Sequence, residues 1–163
     1  MNNLAIILLG SNLGDRAAFL EEAKRHLFSK FGTPDQSSAI YESGPWGKTE
    51  QSDYLNQVIG FYSTVNPVLI LRELLAIELE MGRTRITKWD ARTIDIDLLY
   101  FGQMVMQTPD LTLPHPYIQQ RRFTLVPLCE IYPSFVHPII GQTQNELLNN
   151  CNDKGIVLPY QPT

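Results

Sequence analysis

Leu4-Ala5-Ile6-Ile7-Leu8-Leu9 is an unbroken apolar run closed by Gly10, a pattern that predicts a strand buried on both faces. The next residues, Gly10-Ser11-Asn12-Leu13-Gly14-Asp15, read as a turn. Ala17, Leu20, Ala23, Leu27 and Phe31 then recur at helical spacing, so a helix is expected from Arg16 to about Phe31, with Asp15 as its N-cap and Gly32-Thr33-Pro34 as its stop.

Strands are expected over Ser37 to Ser43 and Gln57 to Thr64. The Gly44 to Asp53 stretch between them is too long for a tight hairpin and is a candidate functional loop. Pro67 suits the first turn of a second helix, which runs through Leu71, Leu74, Leu75, Glu78 and Met81 to Gly82. Arg83 to Arg92 is a basic loop without apolar periodicity, and it feeds a strand from Thr93 to Tyr100. Gly102-Gln103 turns the chain into a short strand, Met104 to Met106. The Pro109 to Pro116 region is irregular, and a helical turn is expected near Tyr117 to Gln120. Thr143 to Cys151 reads as helix and Ile156 to Leu158 as a last strand. The order strand, helix, strand, strand, helix, strand predicts an α+β fold with a ferredoxin-like split βαβ core. It would be an antiparallel sheet with helices packed on one face, in a single domain spanning residues 1–163.

The strand from Thr93 carries Asp95 and Asp97 two residues apart, so both carboxylates project from one face while Ile94, Ile96 and Leu98 line the other. Two like charges so close call for a cation. Hard oxygen ligands beside Arg83, Arg85, Lys88 and Arg92 point to Mg²⁺ holding a polyphosphate, since Mg²⁺ typically takes one or two carboxylates and completes its shell with phosphates and water. An isolated Asp-x-Asp is more often a solvated strand face; the basic neighbours reverse that weighting.

Composition narrows the partners. The chain has 163 residues, 44% hydrophobic and 18% charged, with a net charge of −4, which is an ordinary globular balance. A pI near 5.3 argues against nucleic acid or an anionic membrane as the main partner, so phosphate must be met by a local basic patch. The start, Met1-Asn2-Asn3, lacks the features of a signal peptide, and Cys129 and Cys151 form neither a metal motif nor a disulfide framework. The expectation is a cytoplasmic protein.

Arg92-Thr93-Ile94-Asp95-Ile96-Asp97-Leu98-Leu99 resembles the signature of the 6-hydroxymethyl-7,8-dihydropterin pyrophosphokinase family. Gly10 to Asp15, Tyr54-Leu55-Asn56, Gly82-Arg83-Thr84-Arg85, and Leu113-Pro114-His115 through Arg121-Arg122-Phe123 resemble its other blocks, in order, from about Leu4 to Ile131. The resemblance implies transfer of the pyrophosphoryl group of ATP to the pterin hydroxymethyl oxygen, in folate biosynthesis, by a monomer. Asp95 and Asp97 would bind two Mg²⁺ ions and, with Arg83 and Arg92, form the catalytic set. Glu78, Arg83, Arg85, Trp89, Arg92, Ile96, Leu98, His115 and Arg121 match nucleotide-site positions. Tyr54 and Phe123 match a pair of aromatics that sandwich the pterin, and Asn56 an amide that reads its polar edge. Ser43, Gly44, Trp46, Trp89 and Asp95 complete that subsite, with Trp89 on a loop that closes over the substrates.

The sequence departs from the family pattern at four places. Asp90 stands where Gly is usual, the Arg85 to Trp89 stretch is one residue shorter than in some relatives, Leu75 replaces a polar residue and Pro116 an aromatic. Taken singly, Tyr54 and Phe123 read as core aromatics more readily than as ligand contacts, because most aromatics are core. The competing readings are a ferredoxin-like module that senses a nucleotide or pterin without catalysis, or another Asp-x-Asp enzyme such as a glycosyltransferase or polymerase palm. The sensor would have no need of both acids beside the arginines. The other enzymes would normally need a longer chain.

Overall fold

The computed structural model describes residues 2–44, 53–82 and 93–162. The N-terminal apolar run forms β1 (Asn3–Ser11), buried from Leu4 onward. Leu4, Ile6 and Leu8 enter one core while Ala5, Ile7 and Leu9 enter another, which is why the run shows no alternation. Helix α1 (Arg16–Phe31) starts at the expected cap, where the Asp15 carboxylate accepts the Ala18 N–H at 3.2 Å, and it ends at Gly32 with φ of 84°.

The next stretch gives two strands, β2 (Gln36–Ser37) and β3 (Tyr41–Ser43), in place of the single strand expected. Ser38 causes the break. Its hydroxyl accepts the Val58 N–H at 3.0 Å and its carbonyl accepts the Gln57 side-chain amide at 2.7 Å, while its own N–H keeps a main-chain bond to Val58 O at 2.8 Å, so side-chain bonds interrupt the regular ladder. Strand β4 (Tyr54–Ser63) begins at Tyr54 rather than Gln57, which makes Tyr54 and Asn56 strand residues.

Asn66 caps α2 (Pro67–Glu80), accepting the Val68 N–H at 2.9 Å, and Pro67 occupies its first turn. Its buried stripe is Pro67, Ile70, Leu74, Ile77 and Glu78; Leu71 and Leu75 are only half-buried at its margin. After β5 (Asp95–Phe101) the expected strand at Met104 lies later, as β6 (Met106–Gln107) pairing β7 (Thr112–Leu113). Met104 instead closes the preceding turn through its N–H to Phe101 O, at 3.1 Å. Ile118–Gln120 is a single 3-10 turn. Helix α3 (Arg122–Ile131) escaped the sequence reading because Pro127 lies inside it. Helix α4 (Gln144–Asn149) opens with a Thr143/Glu146 capping box, and β8 (Val157–Pro159) ends the chain's regular structure.

The main sheet runs β5-β1-β4-β3-β8, with β2 also on β4, and every pairing is antiparallel. Its core is the split βαβ arrangement. Leu20, Ala23 and Leu27 of α1 pack with Ile70, Leu74 and Ile77 of α2 on one face. The other face, expected to lack helices, is covered by Ile118, by Leu125, Leu128 and Ile131 of α3, and by Leu147 of α4. That second layer brings the C-terminal third of the chain to the carboxylate face. Among the described residues no helix is long and apolar enough to cross a membrane.

Candidate active site

Sheet register assembles the site. Gly10 of β1 is paired with Asn56 on one side and Asp95 on the other, and Leu8 with Val58 and Asp97. Residues opposite each other in a ladder share a face, as do residues two apart along one strand, so Tyr54, Asn56, Asp95 and Asp97 all project from the α3 side. Strand β3 extends this row: Tyr41 pairs with Asn56 and Ser43 with Tyr54. Ile94, Ile96 and Leu98 point the other way into the first core, as the alternation requires. Gly10 has a local reason. A Cβ there would lie 2.9 Å from the Asn56 side-chain nitrogen, so only bare backbone leaves the space between amide and carboxylate open.

The segment before α3 supplies the opposing wall. Arg121 is only 7% exposed, and its guanidinium lies 4.8 Å from the centre of the Tyr117 ring and 5.6 Å from that of Phe123. Burial pulls its pKa below the ordinary arginine value, against the opposite pull of Asp97 and Asp95. The cation and the acid pair therefore form one electrostatic unit. His115 docks on the free edge of β5, its N–H donating to Leu99 O at 2.9 Å, while its ring Nδ1 accepts the Tyr117 N–H at 3.4 Å.

The structure thus brings together Asp95, Asp97, Arg121, His115, Tyr54, Asn56 and Phe123. Glu78 lies apart from that face: it is 2% exposed and its carboxylate accepts the Ile96 N–H at 2.7 Å. The side chains of Ile96 and Leu98 are sealed in the core, away from the face that carries the carboxylates. Trp46, Arg83, Arg85, Trp89, Asp90 and Arg92, with the expected closing loop, lie outside the described residues.

The donor set fits the chemistry expected of it. Asn56 Oδ1 and Ser43 Oγ are buried and have no hydrogen-bond partner among the described residues, which leaves polar groups available to a ligand. A cavity of about 310 Å³ adjoins Ser43, Gly44 and Phe123, near the lower end of the roughly 300–1,000 Å³ of small-molecule pockets. Among the described residues no cluster of three or more His, Cys, Asp or Glu forms. Two carboxylates are what Mg²⁺ takes when phosphates complete its shell. Sequence reasoning gave no role to Tyr117 or to the space-making Gly10. Tyr117 stands four residues before Arg121, but only the fold around the 3-10 turn stacks the two.

Three comparisons bear on this arrangement. A family model described as "7,8-dihydro-6-hydroxymethylpterin-pyrophosphokinase (HPPK)" matches residues 6–133. The 2-amino-4-hydroxy-6-hydroxymethyldihydropteridine pyrophosphokinase of Bacillus subtilis is 41% identical over 132 residues, 80% of this chain and 79% of that protein. Its namesake in Methylorubrum extorquens is 39% identical over 153 residues, 93% of this chain and 96% of the other. A Plasmodium falciparum HPPK-DHPS crystal structure superposes with a TM-score of 0.73 at 19% identity, covering 92% of this chain but 42% of that one, a likeness of fold. The chain belongs to the 7,8-dihydro-6-hydroxymethylpterin-pyrophosphokinase family.

Proposed function

We propose that this ATP-dependent pyrophosphokinase acts in folate biosynthesis by transferring the β,γ-pyrophosphoryl group of ATP to the hydroxymethyl oxygen of 6-hydroxymethyl-7,8-dihydropterin. The oxygen–Pβ bond forms, the bond from Pβ to the bridging oxygen breaks with AMP as leaving group, and the hydroxyl proton is released. One observation carries the reading: Gly10 separates Asn56 from Asp95 across three adjacent strands. Two strand spacings amount to roughly 10 Å, about the reach from the amide edge of a bicyclic pterin to phosphates held at a carboxylate pair.

Each side chain then has a task. Asn56 offers acceptor and donor to the amide edge of the ring, and Tyr54 and Phe123 offer flat apolar surface to its faces. Asp95 and Asp97 would hold Mg²⁺, with two ions expected, and the metal would neutralise charge on the phosphates. Arg121, already fixed against Tyr117 and Phe123, stabilises developing negative charge without having to reorganise. Arg83, Arg85, Arg92 and His115 serve the nucleotide and Trp89 the closed state, by the family resemblance. Catalysis is then mainly positioning and electrostatics, as in other phosphoryl transfers. By the same resemblance the protein works as a monomer in the cytoplasm.

The test is AMP formation from ATP and Mg²⁺, with and without the dihydropterin, in the native protein and in Asp97→Ala. AMP release that requires pterin and is lost in the variant is expected. Binding of both ligands without AMP release would replace the enzyme with a sensor.

A further inference from the structure

The cavity beside Ser43 and Phe123 has a wall that comes from the far end of the chain, beyond the 6–133 span of the family match: Asp153, Gly155, Ile156 and Val157. Two connections hold this segment. Strand β8 pairs with β3, setting Val157 opposite Ser43. At the other end Asp153 divides its carboxylate, one oxygen accepting the Arg122 N–H at 3.1 Å and the other the Gly155 N–H at 2.9 Å. Arg122 begins α3, so this carboxylate satisfies an orphan helix donor and sits favourably at the positive end of the helix. It also ties the C-terminal turn to the two residues flanking Arg122, namely Arg121 and Phe123.

Ile156 is the odd member. It is 74% exposed, although it is large and β-branched, and it lines the cavity that Phe123 also lines. An isolated exposed apolar residue needs no explanation, but one at the rim of a cavity beside a ring-stacking aromatic gains burial when that cavity fills.

Resting on the assignment of Phe123 and Ser43 to the pterin side of the site, we propose that the cavity they line receives part of the pterin and that the C-terminal turn forms a further wall of it, with Ile156 as a contact that favours the pterin and Asp153 as a positioning residue for Phe123 and the turn. Specificity for the ring is then set partly by a segment that touches neither ATP nor the carboxylate pair.

The experiment measures binding of 6-hydroxymethylpterin by calorimetry in the presence of Mg²⁺ and α,β-methylene-ATP, and steady-state KM for both substrates, in the native protein, Ile156→Ala and Asp153→Asn. Ile156 contributes little to the core, so a purely structural role predicts no change on its truncation. The expected result is pterin affinity about tenfold weaker in Ile156→Ala at unchanged melting temperature and unchanged ATP KM. Asp153→Asn should raise pterin KM while altering ATP KM less. Native binding that both variants reproduce would overturn the proposal and leave the assigned reaction intact. A native protein that binds no pterin would overturn both.

Discussion

The carboxylate of Glu78 accepts the backbone N–H of Ile96, the residue between Asp95 and Asp97, at 2.7 Å. Strand β5 is an edge strand, paired on one side with β1, and Glu78 reaches it from α2. Glu78→Ala would leave that buried amide unpaired, at about 1–3 kcal/mol in urea unfolding, whereas Glu78→Gln retains an acceptor and should lose less. The strand that positions both acids would loosen, so kcat should fall with stability in the Ala variant. Native stability in Glu78→Ala would show that the amide does not depend on this carboxylate.

Gly10 tests the geometry between amide and acids. Gly10→Ala puts a methyl group 2.9 Å from the Asn56 nitrogen and 3.7 Å from a Tyr54 ring carbon. Displacing the amide by even part of an ångström would disturb the hydrogen bonds proposed for it with the pterin edge. Pterin KM should rise by about tenfold, the scale of one lost hydrogen bond, with ATP KM little altered. Equal changes in both KM values would count against a pterin-side role for this row.

Much of this could be read from the chain, for identifiable reasons. The period-two placement of Asp95 and Asp97, the Asp15 cap, Pro67 in the first turn of α2 and the apolar run of β1 are local signals, and local signals survive in a single sequence. What lay hidden depends on tertiary context. Pro127 disguised α3, Ser38 split a strand through side-chain bonds, and the tie from Asp153 to Arg122 spans thirty-one residues of chain. No spacing rule could have placed the C-terminal turn beside Phe123.

Gly60 is a packing requirement away from the carboxylates. A Cβ there would collide with the Tyr132 hydroxyl, which instead passes over the strand and donates to Asp35 at 2.9 Å. Gly60→Ala must shift Tyr132 and weaken that bond. A loss of about 1–3 kcal/mol is expected in thermal or urea unfolding, with little effect on either KM. The ring carbons Cζ and Cε2 of Tyr132 would also lie 2.7 and 2.8 Å from that Cβ, so a second change, Tyr132→Phe, should not restore the stability.

His137 makes stability depend on pH. Its ring is buried and packs edge-on to Tyr100, and Nδ1 accepts the N–H groups of Ile139 and Ile140 at 3.2 and 3.1 Å. Burial lowers its pKa from the ordinary 6.5. A proton on Nδ1 would replace the acceptor with a donor facing two donors, which also favours the neutral ring. The unfolded chain takes up this proton near its ordinary pKa and the folded protein only at lower pH, so between those values the unfolded state binds more protons. The contribution is therefore complete above the unfolded pKa and is lost progressively as pH falls towards the folded one. His137→Asn keeps a neutral acceptor for the turn and removes the titration. As pH falls from about 7.5 to about 5, across the ordinary imidazole pKa, the native protein should lose more stability than the variant. Parallel stability curves would show that His137 takes no part in the acid sensitivity of the fold.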